Sequence, residues 1–310
     1  MNEAAQSLDF YRDLPPIGEP RFWEISPGRR LAWNEYGDPG GKPVMYYHGW
    51  PSSRLQARLA HHLAQERGLR LIAMDRPGMG RSTWEPGRRL ATWPELLGRF
   101  ADSLGIGKVG QIGVSGGGPY VLACAARIPE RLSGSAVLGG AVILDESGLR
   151  GLRGLHPAYR MLGKVRTLPA PVFSGLFRLA SVASCWQPGW PPLSWVLNTV
   201  AAEDRRLLLD SPELWALIAK SFREGVRGRG VMTDAEIYFQ PLDFDPGKVR
   251  HPIRYWHGGD DRNIPLASVR EFTGRIPGAE LTVEDGLGHF SLVIRRAAAA
   301  LDHLAARAND

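Results

Sequence analysis

The sequence predicts an α/β protein, a mostly parallel doubly wound sheet with a helical cap inserted into it. Three observations carry that expectation. Apolar runs of strand length alternate with helix-periodic runs from about residue 43 to residue 140. The alternation stops between about Asp145 and Asp243 and then resumes to the end of the chain. One strand-to-helix junction, Gln111 to Tyr120 (QIGVSGGGPY), sets a serine among glycines. Alternating strands and helices mean βαβ crossovers, hence a parallel sheet covered on both faces.

The elements follow in order. Arg21–Ser26 and Arg30–Tyr36 flank Pro27-Gly28 and form an opening hairpin. Pro43–Tyr47 is a compact apolar strand, and Arg54–Arg67 has helical periodicity. Leu69–Met74, Val109–Val114 and Ser135–Gly140 are further strands, with helices at Trp93–Leu104 and Pro119–Arg127. After the interruption, Ile253–His257 and Glu280–Glu284 are strands, and Leu266–Arg275 and Phe290–Ala306 are helices. This divides the chain into a core of residues 1–144 and 243–310 and a cap of residues 145–242. The cap is broken by proline pairs and holds Trp186, Trp190, Trp195 and Trp215. Within it Leu149, Leu152, Tyr159, Leu162 and Val165 mark an apolar face among arginines; such a stretch can lie on a membrane, but its glycines weaken a membrane helix and favour a cap helix with its charges in solvent.

Composition bounds the function. The 310 residues suffice for a large core, and no apolar run approaches the roughly 18 residues of a membrane span. The net charge of +6 comes from arginines scattered among acids, so no nucleic-acid partner is expected. The first twenty residues carry early acids and no apolar stretch, unlike a secretory signal. With only Cys124 and Cys185, a disulfide framework is not expected, and a cytoplasmic location fits. The sequence carries no signal for an oligomeric state, and no motif calls for a cofactor or metal.

The serine junction holds the chemistry. Gly113-Val114-Ser115-Gly116-Gly117 has the form G-x-S-x-G between a strand and a helix, a turn that exposes a serine hydroxyl at the sheet edge. The Gly116 N–H opens the helix, so no helical acceptor takes it and it can face whatever the hydroxyl attacks. A dinucleotide fingerprint would need G-x-G-x-x-G at the first strand–helix turn, and a P-loop a following lysine; neither is present. A serine needs a base. Gly286-Leu287-Gly288-His289 sets His289 in a glycine-flanked loop ahead of the last helix, whereas His61, His62, His156, His257 and His303 lie within expected elements or the cap. An acid should orient that histidine. Asp260 and Asp261 follow the strand Tyr255-Trp256-His257, with Asp145 and Glu146 as another position.

These motifs, in the order Ser, Asp, His, make the chain resemble the α/β-hydrolase superfamily, in its lid-bearing branch of serine esterases and proline-iminopeptidase-like enzymes. The resemblance implies Asp261 as the acid, between Gly258 and Pro265. His48-Gly49-Trp50-Pro51 resembles the family's oxyanion loop, which puts the second donor on the Trp50 N–H beside that of Gly116, with His48 bracing the loop. Asp75-Arg76-Pro77-Gly78-Met79-Gly80-Arg81-Ser82 resembles a structural loop of the family in which Asp75 accepts backbone N–H groups.

The expected function is a serine hydrolase that cleaves small, largely apolar carboxylic esters through an acyl-enzyme. Ser115, Asp261 and His289 are catalytic, and Trp50, Trp186 and Trp190 line the substrate pocket. The same set could act on an amide or C–C bond, although proline-type aminopeptidases usually carry tryptophan where Gly116 stands. Ser115 argues against epoxide or haloalkane chemistry, which needs an aspartate nucleophile. A receptor-like binding protein on the same fold is the remaining alternative.

Overall fold

The computed structural model describes residues 14–141, 169–191 and 193–307. Asp145, Glu146, His156 and the apolar face from Leu149 to Val165 lie outside the described residues. Eight strands form one sheet in the described residues: β1 (Arg21–Ser26), β2 (Arg29–Gly37), β3 (Lys42–Tyr47), β4 (Leu69–Met74), β5 (Val109–Val114), β6 (Leu132–Leu138), β7 (Ile253–Gly258) and β8 (Ala279–Glu284). Their order is β1-β2-β4-β3-β5-β6-β7-β8. β2 pairs antiparallel with β1 and β4, and the other pairs are parallel.

The pleat explains the core. Val44 and Tyr46 pack in one buried cluster with Leu71, Ile112, Leu292 and Leu301, while Met45 and Tyr47 pack in the other with Ile72, Trp93, Phe100 and Tyr120. Successive side chains of β3 thus feed opposite faces. All six residues of β5 are buried, which a strand covered on both faces requires.

Helices α1 (His61–Gln65), α2 (Trp93–Ser103) and α3 (Gly118–Arg127) connect the strands up to β6. The region expected to be one helix from Arg54 begins instead as 3-10 turns over Arg54–Ala60, capped by the Ser53 hydroxyl. It is tied to another loop, because the Arg54 N–H donates to Asp75 Oδ1 at 2.7 Å. Between β6 and β7 come α4 (Ala170–Ala183), α5 (Leu193–Leu197), α6 (Ala202–Asp210), α7 (Pro212–Gly225) and α8 (Gly230–Tyr238). α9 (Leu266–Gly274) precedes β8, and α10 (His289–Arg307) closes the described chain. No helix among the described residues is long and apolar enough to cross a membrane. Both cysteines are free, Cys124 buried and Cys185 exposed.

This topology places the site. From β3 the chain moves outward to β4 and then crosses back to β5 on the other side. The C-terminal ends of β3 and β5 therefore flank a crevice at a topological switch point, where open α/β sheets bind their ligands. The loop after β3 carries Trp50, and the turn after β5 carries Ser115.

Candidate active site

Ser115 follows the last residue of β5 with φ at 49°, the one non-glycine residue in the left-handed region among those described. Such a backbone costs roughly 1–3 kcal/mol and persists only where the surroundings hold it. Here they do. The Ser115 carbonyl accepts the N–H of Gly118 and, at 2.9 Å, that of Ala141. A Cβ at Gly117 would meet the Tyr47 carbonyl oxygen at 2.1 Å, so β3 and the turn close together around bare backbone.

The Ser115 hydroxyl lies 3.0 Å from His289 Nε2, and His289 Nδ1 lies 2.7 Å from Asp261 Oδ2. Serine, imidazole and carboxylate thus form one hydrogen-bonded line, each less than a tenth exposed. His289 is the first residue of α10, not the loop residue that its flanking glycines suggested. Asp261 is locked from behind, its Oδ1 accepting the N–H groups of Asn263 at 2.8 Å and Ile264 at 2.9 Å. Asp260 is exposed. Burial by itself would lower the His289 pKa, but the Asp261 carboxylate outweighs it and raises it above the usual histidine value. Asp261 is the reciprocal case: burial disfavours its charge, yet His289 brings its pKa down. His257 also reaches this acid, at 3.7 Å from Oδ2, but its Nε2–H donates to the Ile264 carbonyl at 2.9 Å and burial lowers its pKa. It is a neutral prop under the acid loop.

The Trp50 N–H comes close to the serine turn. A Cβ built on Gly116 would sit 3.1 Å from Trp50 N, 2.7 Å from Trp50 Cβ and 2.5 Å from the Tyr238 hydroxyl. A tryptophan at 116 has no room in this arrangement. Each of these two amides shares its peptide plane with a carbonyl that is already held. The Gly49 carbonyl accepts from His48 Nδ1–H at 2.8 Å and Arg76 Nη2 at 3.2 Å, which aims the Trp50 N–H the opposite way. The bond from Ala141 to Ser115 does the same for the Gly116 N–H. Burial, then the nearby Arg76 charge, pushes the His48 pKa far down, so this ring is a neutral brace.

Behind this loop lies a charged cluster that sequence inspection does not identify as part of the site. Asp234 on α8 is fully buried and accepts from Arg76 Nε at 2.8 Å, Arg88 Nη2 at 2.5 Å and the Tyr120 hydroxyl at 2.7 Å. Arg76 Nη1 donates onward to the His48 carbonyl at 2.6 Å, and the Tyr238 hydroxyl to the Gly116 carbonyl at 2.7 Å. Burial would raise the Asp234 pKa, but the two guanidiniums hold it well below the carboxylate range. In sequence, Arg76 sits in the Asp75 loop, and Asp234 shares its helical run with a second acid, Glu236, so the residues alone do not mark which of the two is buried.

The three tryptophans separate. Trp50 is half-buried, its Nε1 donating to the Val231 carbonyl at 2.8 Å, with Phe177 at 5.4 Å and Tyr238 at 6.2 Å from its ring. Trp186 and Trp190 stand 52% and 65% exposed, in the turn that follows α4. Aromatic composition marked them as pocket walls, but what gathers beside Gly116 is Trp50 and Tyr238.

Comparison with known proteins agrees with the sheet order. A family model described as the α/β hydrolase fold matches residues 42–159. A bifunctional esterase/perhydrolase of Acinetobacter calcoaceticus is 30% identical over 257 residues, covering 77% of this chain and 81% of that protein. A proline iminopeptidase of Neisseria gonorrhoeae is 29% identical over 280 residues, 84% of this chain and 87% of that one. The structure of a bromoperoxidase from Bacillus anthracis superposes with a TM-score of 0.69 at 20% identity, over 94% of this chain and 100% of that chain. With a relative at that identity over most of both lengths, and with this sheet, the chain belongs to the α/β-hydrolase family and is a hydrolase.

Proposed function

We propose that this hydrolase cleaves small, largely apolar carboxylic esters through an acyl-enzyme, with Ser115 as nucleophile, His289 as base and Asp261 as the acid that orients it. One observation carries the reading: a strained serine whose hydroxyl lies 3.0 Å from an imidazole that is itself tied to a buried carboxylate at 2.7 Å. Neutral His289 takes the Ser115 proton as Oγ bonds to the ester carbonyl carbon, and Asp261 stabilises the imidazolium that forms. The carbonyl oxygen becomes an oxyanion, received by the N–H groups of Trp50 and Gly116, each worth roughly 3 kcal/mol of barrier. The imidazolium then protonates the departing alcohol. Water, deprotonated by His289, attacks the acyl-serine, and the carboxylic acid leaves.

Residues 145–242 are the cap in this reading, over a core of 1–144 and 243–310. Phe177 on α4 and Tyr238 on α8 beside the Trp50 ring support an apolar acyl group, since rigid aromatic walls recognise apolar surface. The esterase named among the relatives supports ester chemistry, and the crowding at Gly116 distinguishes this elbow from the tryptophan-bearing one of proline-type aminopeptidases.

The test is turnover of short p-nitrophenyl esters against proline p-nitroanilide, with fluorophosphonate labelling of the protein. Ester turnover lost by about 10⁴-fold or more in Ser115→Ala, with the label on the Ser115 peptide, is the expected result. A preference for the anilide, or a label elsewhere, overturns it.

A further inference from the structure

We propose that Asp204 is a positioning residue for His289, whose carboxylate ties the placement of the catalytic imidazole to the docking of the inserted helical segment. The proposal rests on the reading of His289 as the base.

Asp204 lies in the first turn of α6, 1% exposed, and its two oxygens face the start of α10. Oδ2 accepts the N–H of His289 itself at 2.8 Å. Oδ1 accepts the Ser291 N–H at 2.8 Å and the Ser291 hydroxyl at 2.6 Å. That hydroxyl in turn accepts the Gly288 N–H at 2.8 Å. The first amides of a helix have no partner within it, and a side chain just upstream normally supplies one. Here the residue just upstream is glycine, and the cap comes from 85 residues earlier in the chain. Gly288 is what lets it enter: a Cβ there would meet Asp204 Oδ2 at 2.4 Å and Ala201 Cβ at 2.5 Å. A second tie runs alongside, because Glu203 of α6 pairs with Arg295 of α10 at 2.5 Å.

The consequence for the imidazole is positional and electrostatic. The backbone N–H of the residue whose side chain takes the proton is gripped by another segment, so a loose α6 would leave His289 able to drift from Ser115. A misplacement of about 1 Å is enough to cost a reaction roughly 10²-fold. Asp204 also adds a second carboxylate on the imidazole's surroundings and contributes to its raised pKa. The titratable and charged groups around this end of α10 are Asp261, His257, Asp204, and Glu203 with its partners Arg206 and Arg295.

The experiment compares wild type, Ser115→Ala, Asp204→Asn and Asp204→Ala by the pH profile of ester kcat/KM. It adds an NMR titration of the His289 imidazole in the Ser115→Ala background, with and without Asp204→Asn. Removing a negative charge beside an imidazolium disfavours its protonated form, so the acid limb and the NMR midpoint should both move to lower pH. Asp204→Asn, which keeps one acceptor, should lower kcat by about tenfold with KM little changed, and Asp204→Ala by about 10²-fold. Folded Asp204→Asn with a wild-type pH profile and NMR midpoint overturns the proposal. So does failure of this isosteric variant to fold, because a purely structural cap then suffices. If wild type turns over no ester, or Ser115→Ala keeps its activity, the ester reading falls instead. The imidazole titration still decides the role of Asp204.

Discussion

The inserted segment sends one buried aspartate to each half of the site, and the two are satisfied by opposite chemistry. Asp204 reaches the histidine half and takes two neutral amides and a hydroxyl, so its negative charge stays near the imidazole. Asp234 reaches the half that holds the Trp50 and Gly116 amides and is sandwiched between Arg76 and Arg88, which leaves that half with excess positive charge. Acyl transfer through Ser115 would create an imidazolium on one side and an oxyanion on the other. Each half thus carries the sign that favours the charge developing there, in surroundings where water is largely excluded. Changes on the histidine side should therefore move the pH dependence. Changes on the oxyanion side should lower the rate and leave that dependence in place.

The sharpest break comes from Asp261→Asn, which removes the charge and the tautomer control behind His289; kcat should fall by about 10⁴-fold. A fall below tenfold would remove Asp261 from the proposed line and reduce the histidine half to packing. Next is Asp234→Asn, which leaves two buried guanidiniums underpaired. Denaturant unfolding should report a loss of about 3–5 kcal/mol, and a loss under 1 kcal/mol would mean that the cluster is not the fastening described. Arg76→Lys gives up the bond to the Gly49 carbonyl that aims the Trp50 amide, and with it the bond to the His48 carbonyl beside it. It should lower kcat by about tenfold, with an unmoved acid limb, on the scale of a weakened oxyanion donor. A limb that shifts in this variant would dissolve the distinction between the halves.

The smallest effect is in the wild type itself. Since Asp261 raises the His289 pKa, the acid limb of kcat/KM should have its midpoint above 6.5. The same shift has a stability sign. A group whose folded pKa is raised stabilises fully below its unfolded value and loses that contribution as pH climbs through the folded one. Between wild type and His289→Gln, the stability difference should therefore shrink as pH rises past 6.5. Asp261 runs the other way. Its folded pKa lies under 3.8, so its contribution is present above 3.8 and lost as acid carries it through the folded value.

Much of this was legible along the chain. The strand readings at Leu69–Met74 and Val109–Val114 match β4 and β5 to the residue: the first is apolar but for Arg70 and stops at Asp75, and the second lies between Lys108 and the serine turn. The G-x-S-x-G turn was readable because its strain is local: it needs small neighbours that are adjacent in sequence. Asp261 needed the spacing of a family motif, since two neighbouring carboxylates look alike until one is seen buried and the other exposed. In sequence His289 resembles a loop residue, because a helix start is recognised by an upstream cap and this cap arrives from Asp204. Aromatic content does not reveal how deeply a side chain sits: Trp186 and Trp190 are more than half exposed, whereas Trp50 is half-buried beside Tyr238.

The amino-acid order alone determined the layered architecture, the serine turn and the sequence of reactive residue types, all of which depend on neighbours within a few positions. Folding decided the rest. Which carboxylate caps the histidine helix, which guanidinium holds the Trp50 loop and which indole stands by the serine depend on groups far apart in the chain. Those contacts are set by burial, because a charge removed from water must find its partner wherever the packed chain offers one.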